Sequence, residues 1–260
     1  MTGFAGVMAI VLAELATGAA AFTWLTPLWH EARRTHFRVY GLVVTPLIAV
    51  PGWLAAAQGA VPGDDLGAWA VRLALALAAL SALSTVALLL RREALGRVFG
   101  VLAVPVGVAT LFVLAGTGVE PFALGAFQLL AGAAFLGSVF AGLFLGHWYL
   151  TDRKLTRRPI ERITAFAIAA SVVELVAIAS GGFGATGSTS DSLNPLLTAG
   201  ALAPWIALGS AFTTLVVCVL VKAALRGERP SAVQSATGFY YLAVITALTA
   251  EVAVRVRFLG

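Results

Sequence analysis

Apolar residues run in long stretches along this chain, separated by short segments where charged residues, glycine and proline collect. The stretches lie near 4–29, 39–60, 68–90, 98–117, 123–150, 162–180, 195–221 and 233–256. Each is about as long as the roughly 20 residues an α-helix needs to cross a hydrocarbon core. The pattern predicts an all-α, polytopic membrane bundle of about eight transmembrane helices, forming one domain over 1–260. Pro46 and Pro51 in the second span, Pro105 with Gly107 in the fourth and Pro204 in the seventh each remove a backbone donor or loosen a turn, so these helices are expected to kink.

In the fifth span Gly125, Gly132, Val139 and Gly146 recur every seven residues, with Gln128, Phe135, Gly142 and Tyr149 three beyond each. Such a small-residue stripe predicts a close helix–helix contact. Leu15-Ala16-Thr17-Gly18-Ala19-Ala20 in the first span echoes Leu130-Ala131-Gly132-Ala133-Ala134 in the fifth, and each helix then runs to a histidine, His30 or His147. A pseudo-repeat of four helices plus four, 1–117 and 123–257, fits this echo; an alanine-rich chain also produces such a match by chance.

Composition agrees with immersion in lipid. Only 11% of residues are charged and the mean hydropathy is +0.96, against about 25% charged in a soluble domain. The net charge of +5 does not point to nucleic acid, because the basic residues lie in bands between apolar runs. Arg33, Arg34 and Arg38 follow the first span and Arg91, Arg92 and Arg97 the third; Arg153, Lys154, Arg157, Arg158 and Arg162 follow the fifth, and Lys222, Arg226 and Arg229 the seventh. The alternate connections carry Asp64 and Asp65, Glu120, and Asp191. By the positive-inside rule the basic loops are cytoplasmic and both termini extracytoplasmic, in a membrane of the prokaryotic cytoplasmic type. No basic residue precedes the first apolar run, which carries Glu14, so a cleaved signal peptide is not expected.

Several motifs look like chemistry and lack its context. Gly182-Phe183-Gly184-Ala185-Thr186-Gly187 has the spacing of a dinucleotide fingerprint but sits in an exterior loop, not between a strand and a helix. His30-Glu31-Ala32-Arg33-Arg34 has an arginine where a metalloprotease helix needs its second histidine. Cys218 is the single cysteine and lies in an apolar run, so an iron–sulfur cluster held by this chain is excluded. No catalytic constellation and no metal site emerges.

Ionisable side chains inside the spans carry more information, since a charge at mid-membrane costs on the order of 3 kcal/mol. Glu14, Arg72, Glu174, Glu251 and Arg255 are such residues. Glu174 shares a helical face with Ala167, Ala170, Ser171 and Ala177, and Glu14 with Thr17, Gly18 and Ala21, so both are expected to point inward. Glu251 precedes Arg255 by one turn and can pair with it locally. Two readings stay open: a proton path, or interhelical ion pairs in which Arg72 satisfies Glu14 or Glu174 and Arg255 satisfies Glu251.

At the basic end the spans present His30, Gly146-His147-Trp148-Tyr149 and Thr237-Gly238-Phe239-Tyr240-Tyr241. Trp and Tyr there are ordinary residues of the headgroup belt. Histidine adds proton exchange with a quinone carbonyl, or haem ligation. The expected quinone site is therefore His147, Trp148, Tyr149, Tyr240 and His30, with His30 and His147 as the alternative axial ligands of a b-type haem. His36, in the basic loop, is expected to face solvent or headgroups.

The opening helix with Gly18-Ala19-Ala20 and the closing Ala250-Glu251-Val252-Ala253-Val254-Arg255 resemble the membrane anchors of polysulfide- and dimethyl-sulfoxide-reductase-type complexes. That resemblance implies a helical bundle that exchanges electrons with quinone, carries no haem of its own and docks an iron–sulfur subunit, commonly on the outer face. It carries over onto Glu251 and Arg255; the quinone-site positions find no counterpart. The expected role is thus a membrane subunit of a quinone-linked respiratory oxidoreductase, held in lipid beside other subunits and not a stand-alone enzyme. A b-type cytochrome subunit and a small proton-coupled transporter or assembly factor are the alternatives.

Overall fold

A computed structural model of the chain describes residues 1–118, 120–152, 155–181, 195–227 and 231–258, the side chains of 195–201, 257 and 258 apart. Gly182 to Gly187, Asp191, Arg153, Lys154 and Arg229 lie outside the described residues. Among the described residues, eight helices are long and apolar enough to cross a membrane: α1 (Gly3–Trp24), α2 (Arg34–Gly59), α3 (Asp65–Leu89), α4 (Glu93–Ala115), α5 (Phe122–Thr151), α6 (Arg158–Ser180), α7 (Pro195–Leu225) and α8 (Ser231–Phe258). No strand occurs among the described residues.

Local chemistry sets where these helices begin and end. The first span, expected to reach residue 29, stops at Trp24 because Pro27 disfavours helix at the residue before it; one further turn, Leu28–Glu31, follows. The Asp64 side chain accepts from the Leu66 N–H and so caps α3. At the far end of α3, Arg91 sits at φ 60° while the N–H groups of Arg91 and Arg92 reach back to the Leu88 and Ala87 carbonyls, closing the helix as a Schellman turn. The second span starts at Arg34 and not near 39, because charged residues continue the helix past the apolar run. Its expected interruption is a π-helical turn, Thr45–Ala49, around Pro46. The wider turn accommodates a residue that has no N–H to give to the carbonyl one turn back.

Helices α1 and α5 form the centre: 72% of the apolar stretch of each is buried, against 33–44% for the other six. Around α1, contacts run α1–α2, α2–α3, α3–α4 and α4–α1; around α5 they run α5–α6, α6–α7, α7–α8 and α8–α5. The two four-helix groups meet along α1–α5, with α1–α8 and α4–α5 closing the corners.

In lipid no hydrophobic force drives one helix onto another, so this central seam depends on close van der Waals contact. Gly18 of α1 and Gly137 of α5 bring the two backbones together: a methyl group on Gly18 would meet the Ala133 carbonyl oxygen and the Gly137 Cα. The predicted stripe on α5, Gly125 to Tyr149, is buried throughout. Gly142 lies against the Tyr240 ring and Gly146 against Thr237, so part of the stripe is the seat of α8.

All the described basic loops lie at one end and are tied together there. Arg33 pairs with Asp152 at 2.9 Å, Arg162 with Glu31 at 2.6 Å and Arg34 with Glu93 at 3.2 Å; Arg157 donates to the Leu225 and Gly227 carbonyls. At the opposite end the Met1 amino group pairs with Asp64, and the Thr2 N–H donates to the Gly59 carbonyl.

The α1–α5 seam yields a stability test. Gly18→Ala should destabilise the bundle by about 1–3 kcal/mol through overpacking. Gly209→Ala, where an added Cβ meets nothing within 4 Å, should leave stability unchanged or raise it by up to about 1 kcal/mol. Thermal unfolding in detergent compares the two, and equal effects would mean the backbones are not in contact.

Candidate functional site

The largest concentration of buried charge lies where α1, α5, α6 and α8 converge. Arg255, on α8, is fully buried, as are Glu14 on α1 and Glu251 one turn earlier on α8. Arg255 Nη2 stands 2.7 Å from Glu14 Oε1 and 2.9 Å from Glu251 Oε2, and donates to the Gln128 carbonyl of α5 at 3.0 Å. Gly132, one turn along α5, makes room: a side chain there would occupy the space of Arg255 Nη2 and Glu14 Oε1. Glu174 of α6, 1% exposed, borders the trio, with Glu251, Arg255 and Glu14 as its charged neighbours. Its Oε2 and the Oε2 of Glu14 make no hydrogen bond among the described residues.

The sequence elements explain why the groups meet here. Glu14 is on the small-residue face of α1, and the stripe on α5 lets α1 and α8 approach the same helix. Gln128 fixes α6 from the other side, its Nε2 donating to the Ala177 carbonyl at 3.3 Å. Glu174 lies six residues before Ser180, about 9 Å along the helix, so the cluster sits in the half of the bundle away from the arginine-rich end.

The expected partnership with Arg72 is corrected. Arg72 is exposed on α3, with its guanidinium 5.0 Å above the Trp69 ring; Arg255 takes both Glu14 and Glu251 instead. Both arginines lie at a suitable depth, but only α8 turns its arginine toward α1.

The expected quinone-site residues do not face one cavity. His147 and His30 are exposed; Trp148 is half-buried with its ring edge-on to His36 at 5.6 Å. The buried Tyr149 donates to the Thr156 carbonyl. Tyr240 is wholly enclosed, its hydroxyl 2.8 Å from that of Thr164. The reason is angular: Gly146 and Tyr149 belong to the face that packs into the bundle, and His147 is one residue, or about 100°, round from Gly146. A haem between His30 and His147 would need both exposed rings to turn inward.

His36, expected in solvent or headgroups, is 3% exposed and packed among Phe37, Tyr40 and Trp148. Because α2 starts at Arg34, His36, Phe37, Tyr40 and Val44 share its inner face. Trp24, Trp29 and Phe37 stack beside them at centroid distances of 4.8–5.5 Å. That helical spacing was the available signal, masked by the arginines interleaved with it. The cavity next to this aromatic group, about 30 Å³ between α1, α2, α3 and α4, is lined by Tyr40, Thr45, Ser81, Ser84 and Thr85. It has room for about one water molecule, and Tyr40, Ser84 and Thr85 donate to the Ala19, Gly96 and Ser81 carbonyls.

Compared with protein-family models, with curated proteins and with solved structures, the chain matches none. No group of three or more His, Cys, Asp or Glu that could hold a metal ion occurs among the described residues.

Removing one partner of a buried ion pair leaves the other charge uncompensated, at a cost of about 3–5 kcal/mol. Arg255→Met should therefore lower the folded yield and the unfolding temperature sharply, while Arg72→Ala should change neither. Size-exclusion profiles and thermal unfolding of the two variants check this; comparable losses would mean the charges are not paired as described.

Proposed function

We propose that this chain is the integral membrane subunit of a quinone-linked oxidoreductase, and that its Glu14, Glu174, Glu251 and Arg255 cluster handles the protons that accompany quinone chemistry. The observation that carries the reading is the burial of the cluster. Three carboxyls surround one guanidinium, so the fully ionised site would carry a net charge of −2, which a low-dielectric interior strongly disfavours. Two bound protons make the site neutral. A group that must bind protons to stay buried can also exchange them.

The resemblance to polysulfide- and dimethyl-sulfoxide-reductase-type anchors supports the redox half of the reading. The two residues onto which it carries over, Glu251 and Arg255, are the pair around which the cluster is built. With the basic loops in the cytoplasm by the positive-inside rule, the cluster falls in the outer half of the membrane, the side on which such anchors dock their electron-transfer subunit. Quinone gains or loses two electrons and two protons together, so a nearby proton relay suits a quinone-reactive subunit. The protein would act within a complex and supply no iron–sulfur centre itself.

A second reading, a proton-coupled transporter, draws on the same cluster and on the π-turn at Thr45–Ala49 with Pro46 and Pro51, where α2 can bend. It needs no redox partner.

Purification in mild detergent separates the two. The oxidoreductase reading expects copurifying electron-transfer subunits and a quinone-dependent activity. Glu174→Gln, which keeps size and lies outside the paired trio, should slow that activity on the order of 10²-fold, as loss of a proton-transfer group does, with assembly intact. A chain that purifies alone and drives solute uptake under an imposed pH gradient would favour the transporter; activity unaffected by Glu174→Gln would remove the cluster from either mechanism.

A further inference from the structure

The arginine-rich end carries a surface trough that the proposed function does not use. At its head an open cleft of about 700 Å³ is lined by Trp29, Arg34, Glu93 and Arg97. At its foot a second cleft, about 500 Å³, runs along α4 past Leu25, Pro105, Val108 and Phe112. Val101 and Leu102 line both, so the two adjoin. From Arg97 to Phe112 is fifteen residues of helix, about 22 Å, more than the roughly 15 Å that half of a hydrocarbon core spans.

We infer that this trough binds an anionic glycerophospholipid, its phosphate between Arg34 and Arg97 and an acyl chain along Val101, Pro105 and Phe112. Charge selects the headgroup. The Arg34 guanidinium lies 3.8 Å and that of Arg97 5.7 Å from the Trp29 ring centroid, so one indole ring draws two cations to the lining of the same cleft. Glu93 pairs with Arg34, and with Arg38 at 3.9 Å, but Arg97 has no carboxylate within ion-pair distance among the described residues. Two like charges facing one ring repel each other unless an anion lies between them.

The apolar extension selects a lipid over a free phosphate. Nothing polar lines the lower cleft, and it lies on the outward face of α4, where Leu102 and Phe112 are exposed. A neutral ring such as a quinone would fit the trough but gain little from the two guanidinium groups. If the basic loops face the cytoplasm, the head sits at the leaflet that carries anionic lipid.

Native mass spectrometry of the intact protein in mild detergent tests this, using phosphatidylglycerol and phosphatidylcholine of identical chains. Phosphatidylglycerol should bind more tightly, and Arg97→Gln should weaken it about fivefold, the worth of one basic side chain at a membrane surface, with phosphatidylcholine unchanged and Arg97→Lys retaining most of the binding. Val108→Trp, which fills the foot without touching the charges, should weaken both lipids. Equal binding of the two lipids to the unaltered protein, phosphatidylglycerol binding indifferent to Arg97→Gln or Val108→Trp, or its displacement by inorganic phosphate at equal concentration would each overturn the assignment.

Discussion

A single guanidinium, buried completely and shared between two helices, constrains the rest of this structure. Taking a charge out of water costs several kcal/mol even after relaxation, so Arg255 is tolerable only where acceptors already wait for it. Glu251 is supplied by the same helix, whatever the tertiary arrangement. Glu14 is supplied only if α8 packs against α1, and the Gln128 carbonyl only if both pack against α5. The ion pair therefore couples the two four-helix groups, and the glycines at 18, 132 and 137 are what allow the backbones close enough to form it.

The two ends of the bundle differ in kind. At the basic end, arginines pair with Glu31, Glu93 and Asp152, in pairs with at least one partly exposed partner, where water and salt screen them. Those pairs set loop against loop and contribute little stability individually. In the other half, carboxyls outnumber the cation and are enclosed by helices. The first arrangement organises a surface; the second gathers three carboxyls around one buried guanidinium. That contrast is why the proposed chemistry is placed at Glu174 and not at the histidines, two of which are exposed and the third packed among aromatic rings.

What could be read from the sequence follows from which forces act along the chain and which act across it. Immersion in lipid demands long apolar helices, so all eight spans were visible as apolar runs, with errors at the ends: charged residues such as Arg34 and Glu93 continue a helix beyond its apolar part, and Pro27 stops the first helix short of the end of its apolar run. The Glu251–Arg255 pair was visible because four residues on a helix make one turn. The partnership of Glu14 with Arg255 was not: depth in the membrane can be counted from a helix end, but the direction a helix faces depends on packing. Arg72 had a suitable depth and the wrong azimuth. His147 shows the same limit, since its own helix turns Gly146 and Tyr149 inward. The prolines of α2 signalled an interruption, whereas its form as a π-turn depends on how the neighbouring helices hold the extra residue.

The coupling between Glu14 and Arg255 tests the central claim most directly, because it measures the contact that joins the two helix groups. A double-mutant cycle built from Glu14→Gln, Arg255→Met and the combined variant, followed by unfolding in detergent, isolates that contact from the effect of either residue alone. A coupling free energy of about 1–3 kcal/mol is the range for residues in one buried ion network, with the double variant more stable than Arg255→Met by itself. Strictly additive losses would contradict it, and would mean that the two helix groups are joined by something other than this buried charge.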